Sequence, residues 1–212
     1  MNDEICSHKI MEMDEQKREK VLNAAMAEFR GGYEKASTDT IVRQAGISKG
    51  LLFHYFGTKE KLYEFLIAYS MDVIMNEFYG MMNLKETDLL ERIWQMLLLK
   101  MELSYKHPAI FDFIGAAYAR EGKQHDAFKA QYEKEGIDPT GMLMSGVDTS
   151  RFKEGLDTQK VINIIRWAVL GYSNSQIDKN KNIEDYRKEY DNYLEDIKGY
   201  FTILREAFYQ AD

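Results

Sequence analysis

Apolar residues recur at steps of three and four along most of the chain, the period of one face of an α-helix. After Asp14, a helix-capping residue type, Val21, Leu22, Ala25 and Phe29 mark one such face, and Gly31-Gly32 stops it near Arg30. Tyr33 to Ser37 reads as a connector and Thr38 as the cap of a short second helix, with Ile41, Val42 and Ala45 on one side. Gly46 ends that helix, because glycine takes a left-handed cap without strain. Ser48 caps the next, from Lys49 to about Tyr55, and Leu52 and Phe56 lie one turn apart on its inner face. Thr58 caps a further helix with Glu60 in its first turn, where the helix dipole favours an anion. Leu62, Phe65, Leu66, Tyr69, Val73 and Phe78 carry this helix without a breaker to Tyr79. At 1.5 Å per residue it spans ~30 Å, long enough to be shared by two domains.

Downstream, Thr87 or Asp88 opens a helix to Lys106. Leu89, Leu90, Ile93, Trp94, Met96, Leu97, Leu98 and Met101 make it apolar almost all round, which predicts burial at the centre of a second domain. His107-Pro108 ends it and begins a helix from Ala109 to Arg120. A more polar helix is expected from Gln124 to Glu135, then a turn-rich stretch from Gly136 to Asp157 with one helical turn after Pro139 and Phe152 tucked inward. Thr158 to Ser173 and Asp185 to Tyr209 complete an all-α chain of about nine helices. In the last, Tyr190, Leu194, Ile197, Phe201, Leu204 and Phe208 form a heptad-like stripe, and Tyr186, Tyr193, Tyr200 and Ala207 form a second beside it. Two adjacent faces ask for two neighbours. Both fit inside one chain, or one of them meets a second subunit. The dimer reading puts Ile162, Tyr190, Leu194, Ile197, Phe201 and Phe208 at a seam, with Gly171 and Gly199 allowing close helix approach. The expected division is residues 1–62 and 63–212.

Composition narrows the class. With 45% hydrophobic residues among 212 and only 2 prolines, a sizeable helical core is available. No apolar run approaches the ~20 residues of a membrane span. The N-terminus is acidic and lacks an apolar signal core, and Cys6 is the single cysteine, in a terminal stretch expected to fray. These features fit a cytoplasmic protein. Net charge is −7, which at first argues against nucleic acid. Phosphate contact is local, however. Between Ser37 and Tyr63, Arg43, Lys49, Lys59 and Lys61 outweigh Asp39 and Glu60, leaving +2.

Two short helices joined by a glycine turn are a helix-turn-helix, whose second helix enters the major groove. Alone, that spacing also suits an ordinary helical hairpin. The full set Thr38, Ile41, Ala45, Gly46, Ile47, Ser48, Gly50, Leu52, Tyr55, Phe56, Lys59, Glu60 and Leu62 closely resembles the helix-turn-helix of the tetracycline-repressor (TetR) family. Phe53 and Val42 depart from that pattern, where the family often has Tyr and Ala. The resemblance covers the first third of the chain. It implies an N-terminal three-helix DNA-binding domain and a C-terminal helical domain for ligand binding and dimerisation. It also implies DNA contacts from Thr38, Ser48, Lys49, Gly50, Leu51, His54, Tyr55 and Lys59. Of these, Thr38, Ser48, Tyr55 and Lys59 suit phosphate; Lys49, Leu51 and His54 suit base edges; and Gly50 lets the backbone approach.

No constellation asks for catalysis, a metal or a cofactor. The four histidines are scattered, and no metalloprotease, nucleophile-elbow, P-loop or dinucleotide fingerprint occurs. The second domain instead carries many aromatic and sulfur side chains, which suit either plain core or an adaptable apolar pocket. The resemblance favours a pocket, with Trp94, Met101, Tyr105, Phe113, Tyr118, Phe128 and Trp167 as lining and Arg166 as a polar anchor. The expected protein is a homodimeric, ligand-responsive DNA-binding regulator, a repressor released from a palindromic operator by a small, largely apolar effector. The alternative is a helical small-molecule or protein-binding module that makes no use of DNA.

Overall fold

A computed structural model of the protein describes residues 3–121, 138–179 and 183–211. The chain divides into two compact units, Met1–Met81 with Glu102–Ile137, and Met82–Met101 with Asp138–Asp212. Among the described residues the elements are helical, apart from an isolated bridge between Phe152 and Tyr209.

The first unit opens with a helical turn, α1 (Asp3–Cys6), and a 3-10 turn, Lys9–Glu12. Ile5, Ile10 and Met13 are buried, so this terminus is folded and not frayed as its sequence suggests. Their spacing of five and three fits no single helical face, which is why periodicity does not find them. His8 accepts a hydrogen bond from Ile10 N–H at 3.2 Å, and its ring lies 4.3 Å from Phe65 and 5.3 Å from Phe56. Partial burial among these rings lowers the pKa of His8 below its ordinary value. Cys6 is exposed.

Next come α2 (Glu15–Phe29), α3 (Thr38–Ala45), α4 (Lys49–Phe56) and α5 (Lys59–Met81). Asp14 caps α2 as expected, accepting from Lys17 N–H at 3.1 Å. The cap of α3 is Ser37 rather than Thr38: its hydroxyl accepts from Thr40 N–H, and Thr38 is already helical. Val21, Leu22, Ala25, Met26 and Phe29 of α2 pack with Ile41, Ala45, Leu52, Phe56, Leu62 and Leu66 into one core. Truncating a fully buried leucine such as Leu52 in a core of this kind costs ~2–5 kcal/mol.

Helix α6 (Leu89–Lys106) contributes residues to both units, and α7 (Pro108–Glu121) belongs to the first. Ile110 and Phe113 of α7 join the same core, with Phe113 5.6 Å from the Tyr63 ring, and Asp112 meets Arg30 at 3.3 Å. The long helix, expected to be shared by two domains, thus lies whole in the first unit, and α6 is the helix that divides. Glu77 of α5 receives Lys106 at 2.7 Å and His107 at 2.9 Å. Desolvation alone would raise its carboxyl pKa, but these two partners outweigh it and the pKa is lowered.

The second unit contains the first part of α6, α8 (Pro139–Met144), a 3-10 turn at Thr149–Arg151, α9 (Thr158–Lys179), α10 (Ile183–Lys188) and α11 (Tyr190–Phe208). Helix α9 runs past its expected end at Ser173. The last expected helix is two, interrupted at Glu189, whose φ of −91° and ψ of 3° depart from the helix. Val161, Ile162, Ile165 and Val169 of α9 pack with Tyr190, Tyr193, Ile197 and Leu204 of α11 and with Leu89, Leu90, Ile93 and Met101 of α6. Phe152 is buried, as its sequence context predicts.

Two buried charges organise the loops of this unit. Asp88 caps α6 by accepting from Glu91 N–H at 2.9 Å and receives Arg151 at 2.6 Å and Arg205 at 2.8 Å. Desolvation would raise its carboxyl pKa, but hydrogen bonds from Arg205 and Glu91 and the charges of both arginines hold it below the ordinary range. Arg92, 1% exposed, donates to the carbonyls of Leu143 at 2.8 Å, Ser145 at 2.6 Å, Leu84 at 3.1 Å and Glu86.

Candidate nucleic-acid interface

The interface is built from α3, the turn at Gly46 and α4, with the start of α5 beside them. Gly46 takes φ +67°, and its N–H donates to Val42 C=O, closing α3. Ser48 then opens α4 by accepting from Leu51 N–H at 3.1 Å. Leu52 and Phe56 anchor α4 in the core, which fixes the opposite face outward. On that face Ser48, Lys49, Gly50 and His54 are exposed, and Leu51 and Tyr55 are half-buried. A Cβ added at Gly50 meets no atom of the chain within 4 Å. Internal packing therefore does not require glycine there, although an alanine would favour the helix by about 1 kcal/mol. His54 and Tyr55 rings lie edge to face at 5.4 Å.

Thr58 caps α5 by accepting from Lys61 N–H at 3.1 Å. Lys59 is half-buried; its Nζ sits 4.5 Å over the Tyr33 ring and 3.5 Å from Glu34 C=O. The connector carrying Tyr33 is itself held, since Ser37 N–H donates to Glu28 Oε1 at 2.9 Å. Thr38 is half-buried at the start of α3. All eight residues expected to touch DNA thus belong to one continuous stretch of the first unit.

Sequence reasoning missed one feature of this surface. Lys49 and Asp39 form an ion pair, Nζ to Oδ1 2.9 Å and to Oδ2 3.0 Å. Ten residues and a glycine turn separate them, so neither helical nor strand periodicity links them. The pairing follows only once Gly46 sets the angle between the helices.

The residues expected to line a ligand pocket are divided between the two units. Phe113 is part of the first unit's core. Trp94 and Met101 pack in the second, with Trp94 6.3 Å from Phe201 and 4.9 Å from Lys198 Nζ. Tyr105 is 60% exposed and Trp167 is 68% exposed, so Trp167 faces out of its unit and not into it. Arg166 is half-buried on α9. Phe128 and the Tyr118 side chain lie outside the described residues. The expected seam residues also turn inward. Ile162, Tyr190 and Ile197 are buried in their own unit, with Leu194, Phe201 and Phe208 packed against the same core. No group of three or more His, Cys, Asp or Glu among the described residues is placed to hold a metal, and no described helix is long and apolar enough to cross a membrane.

Fold and surface together define an all-helical helix-turn-helix protein. The family profile described as Bacterial regulatory proteins, tetR family matches residues 21–66, which span α2 to the first turns of α5. Residues 21–66 are thus similar to the bacterial regulatory proteins of the tetR family. Among curated proteins, the nucleoid occlusion factor SlmA of Vibrio atlanticus (strain LGP32) is 29% identical over 96 residues, 44% of this chain and 48% of that one. SlmA of Haemophilus influenzae (strain PittGG) is 27% identical over 120 residues, 55% of each chain. The chain spans about half the length of the curated relatives it matches. Among solved structures, a TetR family transcriptional regulator from Chloroflexus aurantiacus J-10-FL aligns with TM-score 0.59 at 17% identity, covering 97% of this chain and 99% of the other. The regulator FadR of Bacillus subtilis, solved with stearoyl-CoA, aligns with TM-score 0.53 at 18% identity, covering 84% and 95%. At these identities the likeness is one of fold.

Proposed function

We propose that the protein is a homodimeric, ligand-responsive transcriptional regulator acting in the cytoplasm, a repressor that leaves its palindromic operator when a small, largely apolar effector binds. The observation that carries the reading is the outward face of α4. It is capped, anchored from behind, and uncovered by the described chain at Ser48, Lys49, Gly50 and His54. A helix presented this way matches the size of the major groove.

A second copy is supported by the face of the second unit that its own core leaves open. Ile164, Trp167 and Leu170 on α9 and Tyr200 and Ile203 on α11 are all more than 40% exposed. Gly171 and Gly199 lie in the same two stretches, and a Cβ at either meets nothing within 4 Å. Exposed apolar side chains around helical glycines that the chain itself does not crowd suit close packing by an identical pair of helices. The seam then runs along Ile164, Trp167, Leu170, Tyr200 and Ile203, and the stripe read from sequence lies one face inward of it. Two subunits place two α4 helices on half-sites about one turn (~34 Å) or a multiple apart. The FadR complex with stearoyl-CoA supports an effector with a long apolar part.

The test is selection of binding sites from random double-stranded DNA by the full-length protein, with sedimentation of the free protein. A recovered palindrome and a dimer support the reading. A monomer that selects nothing refutes it and leaves a helical binding module that does not use DNA.

A further inference from the structure

Lys49 is the first residue of α4, where the helix dipole is positive and a cation is disfavoured. Asp39 compensates, holding the ammonium with both carboxylate oxygens at 2.9 and 3.0 Å. Asp39 lies in the first turn of α3, where a carboxylate is favoured. Neither side chain is spent on the core: they are 50% and 72% exposed. As a stabilising contact, such a surface pair contributes little. Its effect on recognition is larger. A free lysine is a point charge on a flexible stem and satisfies itself on whichever phosphate is nearest. A lysine tied to a carboxylate presents a donor and an acceptor side by side, with no net charge.

We propose that Asp39 and Lys49 act as one neutral reading unit that selects a G·C base pair in each operator half-site, with Asp39 as the positioning residue for Lys49. The inference rests on the DNA-binding reading above. In the major groove, guanine offers the acceptors O6 and N7 and cytosine offers the N4 amino donor. Lysine pairs with the first two and aspartate accepts from the third. O6 and N4 of one G·C pair are hydrogen-bonded to each other and so lie about 2.9 Å apart. That matches the 2.9 Å between Nζ and Oδ1, so the two edges align without moving either side chain from its partner. A C·G pair reverses donor and acceptor and sets ammonium against amino group and carboxylate against carbonyl oxygen. The N-terminal residue of a recognition helix is where base edges are reached.

The test compares wild type, Asp39→Asn, Asp39→Glu and Lys49→Met in site selection, with affinities for the selected site and for unrelated DNA measured over a range of salt. Asp39→Asn should lower discrimination at one G·C position per half-site by about tenfold, tighten binding to unrelated DNA, and steepen the salt slope by about 1 per subunit. Lys49→Met should lose the same G·C preference. Asp39→Glu, which keeps the charge, should keep the wild-type slope. Both residues are exposed, and unchanged melting temperatures check that the variants fold. An Asp39→Asn protein with the wild-type base preference and slope overturns the proposal while leaving DNA binding intact. A wild-type protein that selects no site removes the regulator reading and this one together.

Discussion

Replacing Arg92 by methionine tests how the second unit holds its loops. The guanidinium is buried and donates to four carbonyls, those of Leu84 and Glu86 before α6, of Leu143 in the last turn of α8 and of Ser145 just after it. Methionine keeps most of the stem's volume and removes every donor. A hydrogen bond from a charged group contributes ~1.5–3 kcal/mol, and a buried acceptor left unpaired costs ~1–3 kcal/mol. Not all of this is lost, because the guanidinium's own burial is unfavourable and depresses its pKa. Its Nε also lacks a partner among the described residues. With four carbonyls losing their donor and the burial of one charge relieved, the expected loss for Arg92→Met is about 3–5 kcal/mol. Arg92→Lys should recover little, since one ammonium with three donors cannot span two loops as a planar fork does. The assay is urea unfolding followed by tryptophan fluorescence. Trp94 and Trp167 are the protein's two tryptophans and both belong to the second unit, so the signal reports that unit. A loss below about 1 kcal/mol would mean that water satisfies the carbonyls and that the loops stand without the arginine.

Three further outcomes are expected. Lys59→Ala should weaken binding to all DNA sequences and flatten the salt slope by up to about 1 per subunit, measured by titration at several salt concentrations; an unchanged slope removes Lys59 from the phosphate contacts. Ile203→Asp should give a folded monomer in sedimentation where wild type is a dimer, because each unpaired charge at a closed seam costs several kcal/mol; a folded Ile203→Asp dimer refutes that seam. The lowered carboxyl pKa of Asp88 stabilises the fold above the ordinary carboxylate range, and this stabilisation is lost as pH falls from ~4 through the folded value. Denaturation midpoints should therefore fall less steeply with acid in Asp88→Asn, which keeps the cap but not the charge, than in wild type.

The helix-turn-helix was legible in the sequence because its signals are local. Asp14, Gly46, Ser48 and Thr58 each start or stop a helix through a bond to a residue no more than four positions away, and the structure has each of those bonds. Ser37 displaced Thr38 because adjacent hydroxyl residues give the same signal and only backbone angles choose between them. The packing of α7 with α2 and α5 was not legible: Arg30 and Asp112 are 82 residues apart, and no local pattern joins them. Apolar stripes record that a face is covered, not by what. Tyr190, Leu194, Ile197 and Phe201 repeat as a coiled-coil seam does, yet their neighbours are α9 and α6 of the same chain. Of the exposed residues beside Gly199, Tyr200 belongs to the second stripe, spaced by seven, whereas Ile203 falls outside both stripes and gives no such signal.

The same distinction between pattern and partner bears on charge. With Lys49 tied to Asp39, the cations of the reading stretch reduce to Arg43, Lys59 and Lys61, against Glu60. The dimer proposed above would present six cations, and releasing one counterion for each would give a salt slope no steeper than about −5. That is half the dependence of a tightly electrostatic binder, and a correspondingly larger share of the affinity falls to uncharged contacts. On that reading the N-terminal N–H groups of α4 and α5 that their caps leave over would be among them. The acidic surplus of the chain as a whole lies outside this stretch and is screened beyond about 8 Å at physiological salt. It opposes loose association with DNA at low salt more than it weakens a docked complex. On the proposed reading, discrimination on this surface falls to contacts with base edges, the Asp39–Lys49 pair among them, and not to the protein's overall balance.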